Sequence, residues 1–243
     1  NGDHSLGSGR VSWSAGGMLV DFGNPDIQIG GAQIEPVFSA DLEWNAGPVR
    51  PFIHSRNGVR LQSASDLYGF GETVTPIQES MQGRQAVDEL GISFRPGWLH
   101  ILASVAASRT TDGAERLMSA DTLQVAPYTG LRTRTSATGR LGIREFSRRG
   151  VYAWTEATFS QYAGDKDATG ETAALDLLLE ESVPDLFGRA AIGIRGRMFQ
   201  DDLDGDLSIR ARLWTEHRGL RLHPQSGLLA LPEIDSRPIE QSM

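Results

Sequence analysis

The sequence predicts an all-β protein whose antiparallel strands are joined mainly by hairpins. Apolar and polar residues alternate in many segments, which indicates strands because successive strand side chains point to opposite faces. Turn-forming residues separate these segments, and helical periodicity is poor throughout the chain. The 243 residues are therefore expected to contain about ten to twelve strands in one unit.

The N-terminal half contains six of the predicted strands. They are residues 11–22, 38–44, 49–61, 90–94, 98–108 and 122–134. Asn45-Ala46-Gly47 separates the second from the third, and Pro96-Gly97 precedes the fifth; both are turn sequences. Residues 63–85 show neither period clearly, and we expect a long loop there.

The C-terminal half continues the alternation. Its predicted strands are residues 140–144, 151–160, 172–180, 189–198 and 207–214. In 172–180, Leu175, Leu177 and Leu179 are expected to oppose Asp176 and Glu180. The last two strands flank residues 201–206 (DDLDGD), whose Asp-Gly step predicts a hairpin turn between them.

Composition excludes several classes of protein. A net charge of −8 and a pI near 5.1 argue against a nucleic-acid partner, which requires a basic surface. The chain contains no cysteine, so disulfides and thiolate metal sites are excluded, and no cofactor is predicted. No segment approaches the roughly 18 consecutive apolar residues of a spanning helix. Arginine supplies all basic residues except Lys166.

Two architectures satisfy the strand pattern, a transmembrane barrel and a soluble β-sandwich or β-barrel. Long strands, an arginine-rich and carboxylate-rich polar face, and a face of small aliphatic residues favour the transmembrane barrel. An aromatic content of 7% and a polar stretch at 232–243 argue against it. We predict a single up-and-down, transmembrane β-barrel over residues 10–231, with tails at 1–9 and 232–243.

Two segments resemble strands of known membrane proteins. Residues 141–144 (LGIR) and 190–197 (AAIGIRGR) look like strands of Gram-negative outer-membrane β-barrels, of the autotransporter or small-barrel kind. The resemblance is one of general style, without a specific family motif. It implies a barrel inserted in the bacterial outer membrane after export, with lipid as its partner. Asn1 and the lack of a signal-like apolar region suit a processed chain.

The expected role is a small-solute channel, or a structural component associated with another envelope protein. The polar face is expected to line the lumen of the barrel, with these residues: Arg140, Arg144, Arg189, Arg195, Arg197, Arg210, Arg212, Asp41, Glu43, Glu156, Asp176, Glu180 and Glu216. The arginines could attract anionic solutes. The favoured interpretation is that the carboxylates neutralise them, so that ion pairs partly fill the lumen.

A barrel-embedded lipid hydrolase and a soluble β-sandwich binding module are the alternatives. Residues 52–58 (FIHSRNG) resemble the His-x-Ser-Asn run of outer-membrane phospholipases and lipid A deacylases. Here Ser55 follows His54 directly, and adjacent strand residues point to opposite faces. His54 is therefore not expected to activate Ser55, and no catalytic residue is predicted.

Two acidic segments offer oxygen ligands of the kind that calcium prefers. One contains Asp202, Asp204 and Asp206; the other contains Asp165, Asp167 and Glu171. Neither segment has a complete calcium-loop motif, and Asp is common in solvated turns. We predict no metal site at either place.

Overall fold

A ten-strand antiparallel sheet dominates the computed structural model, which describes residues 1–6, 9–21, 34–60, 74–75, 83–119, 122–147, 149–165, 170–198, 203–222 and 226–232. The elements are β1 (Gly2–Leu6), β2 (Gly9–Asp21), β3 (Ile34–Asn45), β4 (Val49–Arg60), β5 (Val74–Thr75), β6 (Gly83–Phe94), β7 (Leu99–Ser119), β8 (Thr122–Ile143), β9 (Gly150–Ala163), α1 (Glu171–Glu180), β10 (Leu186–Met198), β11 (Leu203–Trp214), β12 (Arg221–Leu222) and β13 (Leu229–Ala230). The all-β prediction is confirmed.

The sheet follows the order of the chain. The strands run β1-β2-β3-β4-β6-β7-β8-β9-β10-β11, and each is antiparallel to its neighbours. The short β5 pairs in parallel with β8, and β12 pairs with β13 in a separate ribbon. The up-and-down order predicted from the sequence is confirmed, and β1 and β11 are the ends of that order.

Cross-strand register divides the side chains into two faces. The apolar face carries Leu42, Ile53, Leu90, Val105, Leu141, Phe159, Ile192 and Ile209. The polar face carries Asp41, His54, Glu89, Ser136, Arg140, Glu156, Arg189 and Arg212. The strands thus keep the predicted period of two, apart from a register shift in the β7–β8 pair between Thr111 and Gly113.

The apolar face is the more exposed of the two. Leu207 and Ile209 are 76% and 77% exposed on this face, whereas Tyr152 and Ser160 on the polar face are 3% and 8% exposed. A soluble sandwich buries its apolar side chains between two sheets. Among the described residues no second large sheet covers the apolar face.

A conventional hydrophobic core lies at one end of the sheet, beside the long β7–β8 hairpin. One cluster joins Leu123 and Val125 of β8 to Ala230 of β13. A second joins Tyr128 of β8 to α1 and Leu231, and it contains Leu175 and Leu178. The backbone of Leu231 also forms a bridge with Leu117 of β7. This end of the hairpin is therefore covered by α1 and the segment 228–232.

The predicted strand at 172–180 is wrong, because this segment forms α1. Leu175 and Leu178, three residues apart, are 2% and 4% exposed, while Leu177 is 47% exposed. Leucines at alternate positions fitted a strand, but the contacts that bury α1 use helical spacing. Asp176 and Glu180 consequently lie on the helix instead of on a strand.

Several boundaries also differ from the prediction. Residues 122–134 and 140–143 belong to one long strand, β8, which ends before Arg144, and β1 lies within the segment 1–9 that was assigned to a tail. The β10–β11 hairpin is confirmed, but Asp204 and Gly205 pair inside the ladder and do not form its turn. Most of the expected loop at 63–85 lies outside the described residues, as does the tail from 233 onward. No helix in the described part of the chain is long and apolar enough to cross a membrane.

Candidate functional site

The polar face brings most of the predicted lumen residues together. It carries these nine of them: Arg140, Arg189, Arg195, Arg197, Arg210, Arg212, Asp41, Glu43 and Glu156. Four lie elsewhere. Arg144 follows β8 with φ of 51°, Asp176 and Glu180 are on α1, and Glu216 follows β11.

An ion-pair row crosses β8, β9 and β10. Arg140 faces Glu156 across β8–β9, and Glu156 faces Arg189 across β9–β10. Arg140 Nη1 donates to Glu156 Oε2 at 2.7 Å, and Arg189 Nε donates to Glu156 Oε1 at 2.8 Å. Both guanidinium groups also lie near the ring of Trp154, at 4.8 and 5.6 Å from its centroid. Each oxygen of Glu156 therefore already has a cationic partner.

The β8–β9 turn extends this row with Glu145, which the sequence analysis did not select. Its carboxylate accepts hydrogen bonds from Arg140 and lies 3.1 Å from His100 Nδ1. Burial raises the pKa of Glu145, but the hydrogen bonds from Arg140 and His100 and their charges outweigh burial and hold that pKa below its ordinary 4.5. Glu145 is thus a buried anion stabilised by two basic side chains.

A second ion-pair group lies between β10 and β11. Arg195 Nε donates to Asp206 Oδ2 at 3.0 Å, and the hydroxyl of Tyr152 donates to Asp206 Oδ1 at 2.8 Å. The guanidinium of Arg195 also stacks over the Tyr152 ring, 4.1 Å from its centroid. The ring reaches Asp206 across Gly193, where an added Cβ would lie 2.7 Å from the Tyr152 hydroxyl. Only glycine leaves room for this contact.

Carboxylates associated with the two acidic segments accept hydrogen bonds from other groups of the protein. Arg197 Nε donates to Asp204 Oδ1 at 3.0 Å, and Asp206 is held as just described. The backbone N–H of Asp165 donates to Asp176 Oδ2 at 3.2 Å. Asp202 and Asp167 lie outside the described residues, and no group of three or more potential metal ligands occurs within the described part.

The His54 segment has the geometry that alternation predicts. His54 is on the polar face with its Nδ1 2.7 Å from Asp41 Oδ1, and Ser14 Oγ donates to Asp41 Oδ2 at 3.0 Å. Ser55 is on the apolar face, where its hydroxyl donates to Asp88 at 2.7 Å. His54 and Ser55 therefore have separate partners, so this pair does not form a nucleophile and its base.

Helix α1 lies against the polar face at the end where β9 finishes. Arg134 of β8 donates to the carbonyl oxygen of Leu179 at 2.8 Å, and the hydroxyl of Tyr162 of β9 donates to Asp176 Oδ1 at 2.7 Å. Both donors belong to the polar face. Sequence reasoning missed this contact because it placed residues 172–180 on a strand; the spacing of Leu175, Leu178 and Leu179 was the available signal.

Comparison with known proteins adds no family. No protein-family model, curated protein or solved structure matches this chain.

Proposed function

We propose that this chain is a bacterial outer-membrane β-barrel that forms a small-solute channel, with the apolar face in lipid and the polar face lining the lumen. The main support for the proposal is that the apolar face of the sheet is more exposed than its polar face. A continuous exposed apolar surface of this extent is unfavourable in water and marks contact with another apolar phase. Lipid is that phase in a transmembrane barrel, whose strands alternate apolar-out and polar-in.

The length of the apolar stretch supports a bilayer as the partner. On β7 the apolar face is uncharged from Leu99 to Ala107 and then changes to Arg109 and Thr111. Nine strand residues span about 27 Å along the strand, or about 21 Å across a bilayer at a tilt of 40°. This compares with an apolar band of about 25 Å in outer-membrane barrels.

Exposed aromatic residues lie at the end of the apolar stretch that carries the short turns. Trp44 near the end of β3 is 41% exposed, and Trp98 and Phe146 in turns are each 62% exposed. Aromatic rings favour the boundary between lipid and water, because they combine an apolar body with a polar or polarisable edge. Few aromatic residues are present, but these three lie where the boundary is expected.

A sheet of ten strands is also compatible with closure into a barrel. With an even count, β1 and β11 run in opposite directions, as neighbours in an up-and-down barrel do. Lipid cannot satisfy a free strand edge, so a transmembrane sheet requires that β1 and β11 do not remain as free edges. A ten-strand barrel has a backbone radius of about 10 Å, which leaves a narrow lumen after side chains are placed.

The side chains that line the proposed lumen are polar, which favours an open path for solutes and not a lumen filled with apolar side chains. Ion pairs such as Arg195–Asp206 line the wall without crossing to an opposite strand, because both partners lie on neighbouring strands. At one mouth α1 packs over the polar face and narrows the opening. We infer that solutes pass beside the ion-paired wall and that α1 limits their size.

A charge placed on the apolar face tests the membrane proposal. Ile192→Arg is expected to lower the free energy of unfolding in lipid vesicles by about 2–4 kcal/mol, because the guanidinium would enter the hydrocarbon layer. The matched control is Val183→Arg, at a 40% exposed apolar residue after α1 and outside the strands, where the expected change is within about 0.5 kcal/mol. Equal effects of the two substitutions would refute the lipid-facing assignment.

Channel activity needs its own measurement. The folded protein should migrate faster than the boiled protein in detergent gels, and it should give discrete conductance steps in a planar bilayer. A protein that remains monomeric and folded without detergent would contradict the barrel proposal. Insertion without conductance would leave the membrane assignment and refute the channel.

A further inference from the structure

We propose that Arg189, Arg210 and Arg212 form a binding site for small oxyanions that carry several negative charges, such as phosphorylated or polycarboxylated solutes. The three guanidinium groups belong to the polar face of neighbouring strands β10 and β11. Arg189 faces Arg212 directly in the register of these strands, and Arg210 lies two residues before Arg212 on the same face. Anion selectivity of a channel rests on the proposed function, whereas anion binding at these three arginines does not depend on it.

Two like charges directly opposite in a sheet destabilise it unless an anion lies between them. The row holds two carboxylates: the oxygens of Glu156 are used by Arg140 and Arg189, and Glu145 accepts from Arg140. No described side chain accepts a hydrogen bond from Arg210 or Arg212, and both are exposed. Arg140, Glu145, Glu156, Arg189, Arg210 and Arg212 together carry a formal excess of two positive charges, in a chain whose net charge is −8.

The excess is local to this part of the polar face. Further along the same two strands Arg195 is matched by Asp206 and Arg197 by Asp204, each at 3.0 Å. The structure therefore pairs arginine with carboxylate where β10 and β11 meet near their hairpin and omits the carboxylate near the opposite end. An anionic ligand would supply the negative charge that this end of the two strands lacks.

An unpartnered donor adds a second, independent observation. Trp214 follows Arg212 on the same face of β11, and its indole Nε1 is buried without a hydrogen-bond partner. A buried N–H without an acceptor is unfavourable by about 1–3 kcal/mol. An oxyanion held by Arg212 would bring an acceptor to this side of the site.

The chemistry of guanidinium selects the ligand class. Its planar fork donates two parallel hydrogen bonds to a phosphate, sulfate or carboxylate group, which chloride does not accept in the same way. Three forks on one patch favour a solute with two or more such groups. The site therefore distinguishes oxyanions from halides by geometry and from monoanions by charge.

Binding of inorganic pyrophosphate to the folded protein in detergent micelles tests the site. Titration calorimetry at low salt is expected to show binding that weakens at least tenfold in an Arg210→Gln, Arg212→Gln variant. The matched control is Arg56→Gln, Arg109→Gln, which removes the same charge from exposed positions on β4 and β7 and should change affinity less than twofold. An equal loss in both variants would show general charge attraction only and overturn the site.

A conservative variant separates binding from misfolding. Arg210→Lys, Arg212→Lys keeps the charge but not the fork, so its affinity should lie between those of the wild type and the glutamine variant. Affinity as low as that of the glutamine variant, or a wild-type protein that binds no pyrophosphate, would refute the proposal. Because this assay needs no bilayer, pyrophosphate binding by a protein that fails to insert in membranes would refute the proposed channel and keep the site.

Selectivity in bilayers gives the functional readout. Under a potassium phosphate gradient the reversal potential of the wild-type channel should indicate preference for the phosphate anion, and the Arg210→Gln, Arg212→Gln variant should shift toward cations. The Arg56→Gln, Arg109→Gln control should show no comparable shift. Conductance with identical reversal potentials in all three proteins would confirm a channel and refute the anion site.

Discussion

At the scale of single residues, the polar face is organised by pairs of arginine and carboxylate. Arg140, Arg189, Arg195 and Arg197 each have a carboxylate partner. Only Arg140 and Arg189 use a carboxylate that was predicted for this face, Glu156; Asp206 and Asp204, the partners of Arg195 and Arg197, were assigned to a turn. The sequence identified the arginines because they share a strand face. It did not identify Glu145, since a turn residue has no strand period to place it.

Glu145 is expected to make stability depend on acidity. Its pKa is lower in the folded protein, so its contribution is complete above pH 4.5 and is lost as the pH falls through the lowered pKa. Glu145→Gln should reduce the free energy of unfolding at pH 7 by about 1–3 kcal/mol, and the difference from wild type should shrink below pH 4. Chemical unfolding in detergent micelles at both pH values measures this.

Glu216→Gln is the control for this experiment, because Glu216 is an exposed carboxylate after β11. Its expected change is within about 0.5 kcal/mol at either pH. A Glu145→Gln protein that loses stability equally at pH 7 and pH 3 would show that the carboxylate charge is not what stabilises the turn.

At the scale of elements, the alternation of apolar and polar residues predicted the strands but not α1. Long strands such as β9 and β11 were recognised because apolar and polar side chains alternate over most of their length. Residues 172–180 contain leucines that fit both periods, and the choice between helix and strand depends on what covers them. Tyr128 and Leu231 supply that cover, and both are distant in sequence.

Packing of α1 is expected to depend on its two buried leucines. Leu175→Ala or Leu178→Ala should increase hydrogen exchange across residues 171–180 by at least tenfold, because truncating a buried leucine destabilises its surroundings by about 2–5 kcal/mol. Leu177→Ala is the control, since Leu177 is exposed and should leave exchange unchanged. Protection of α1 that survives both core substitutions would mean that Tyr162–Asp176 and Arg134 alone hold the helix.

At the scale of the whole molecule, the two faces of one sheet have opposite environments. Trp13 and Trp44 lie on the apolar face and are 40% and 41% exposed, whereas Trp154 lies on the polar face among arginines. The same residue type therefore reports on both sides of the sheet, which makes the assignment of the faces directly measurable.

Tryptophan fluorescence in vesicles of brominated lipid should distinguish the faces. A variant that retains only Trp44 should be strongly quenched, because the ring contacts acyl chains. A variant that retains only Trp154 should be quenched several-fold less, because the sheet backbone separates its ring from the lipid. Stronger quenching of Trp154 than of Trp44 would mean that the polar face, rather than the apolar face, contacts lipid.

The sequence by itself determined the strand class, the order of the hairpins and the residues that share each face, because a period of two depends only on neighbouring residues. The tertiary structure decided which face is exposed, that 172–180 is helical and that α1 covers one end of the polar face. It also decided that Arg140, Arg189, Arg195 and Arg197 donate to carboxylates of the polar face, whereas Arg210 and Arg212 donate to none among the described residues. These features depend on contacts between residues far apart in the chain, and a local alternation of apolar and polar residues does not predict such contacts.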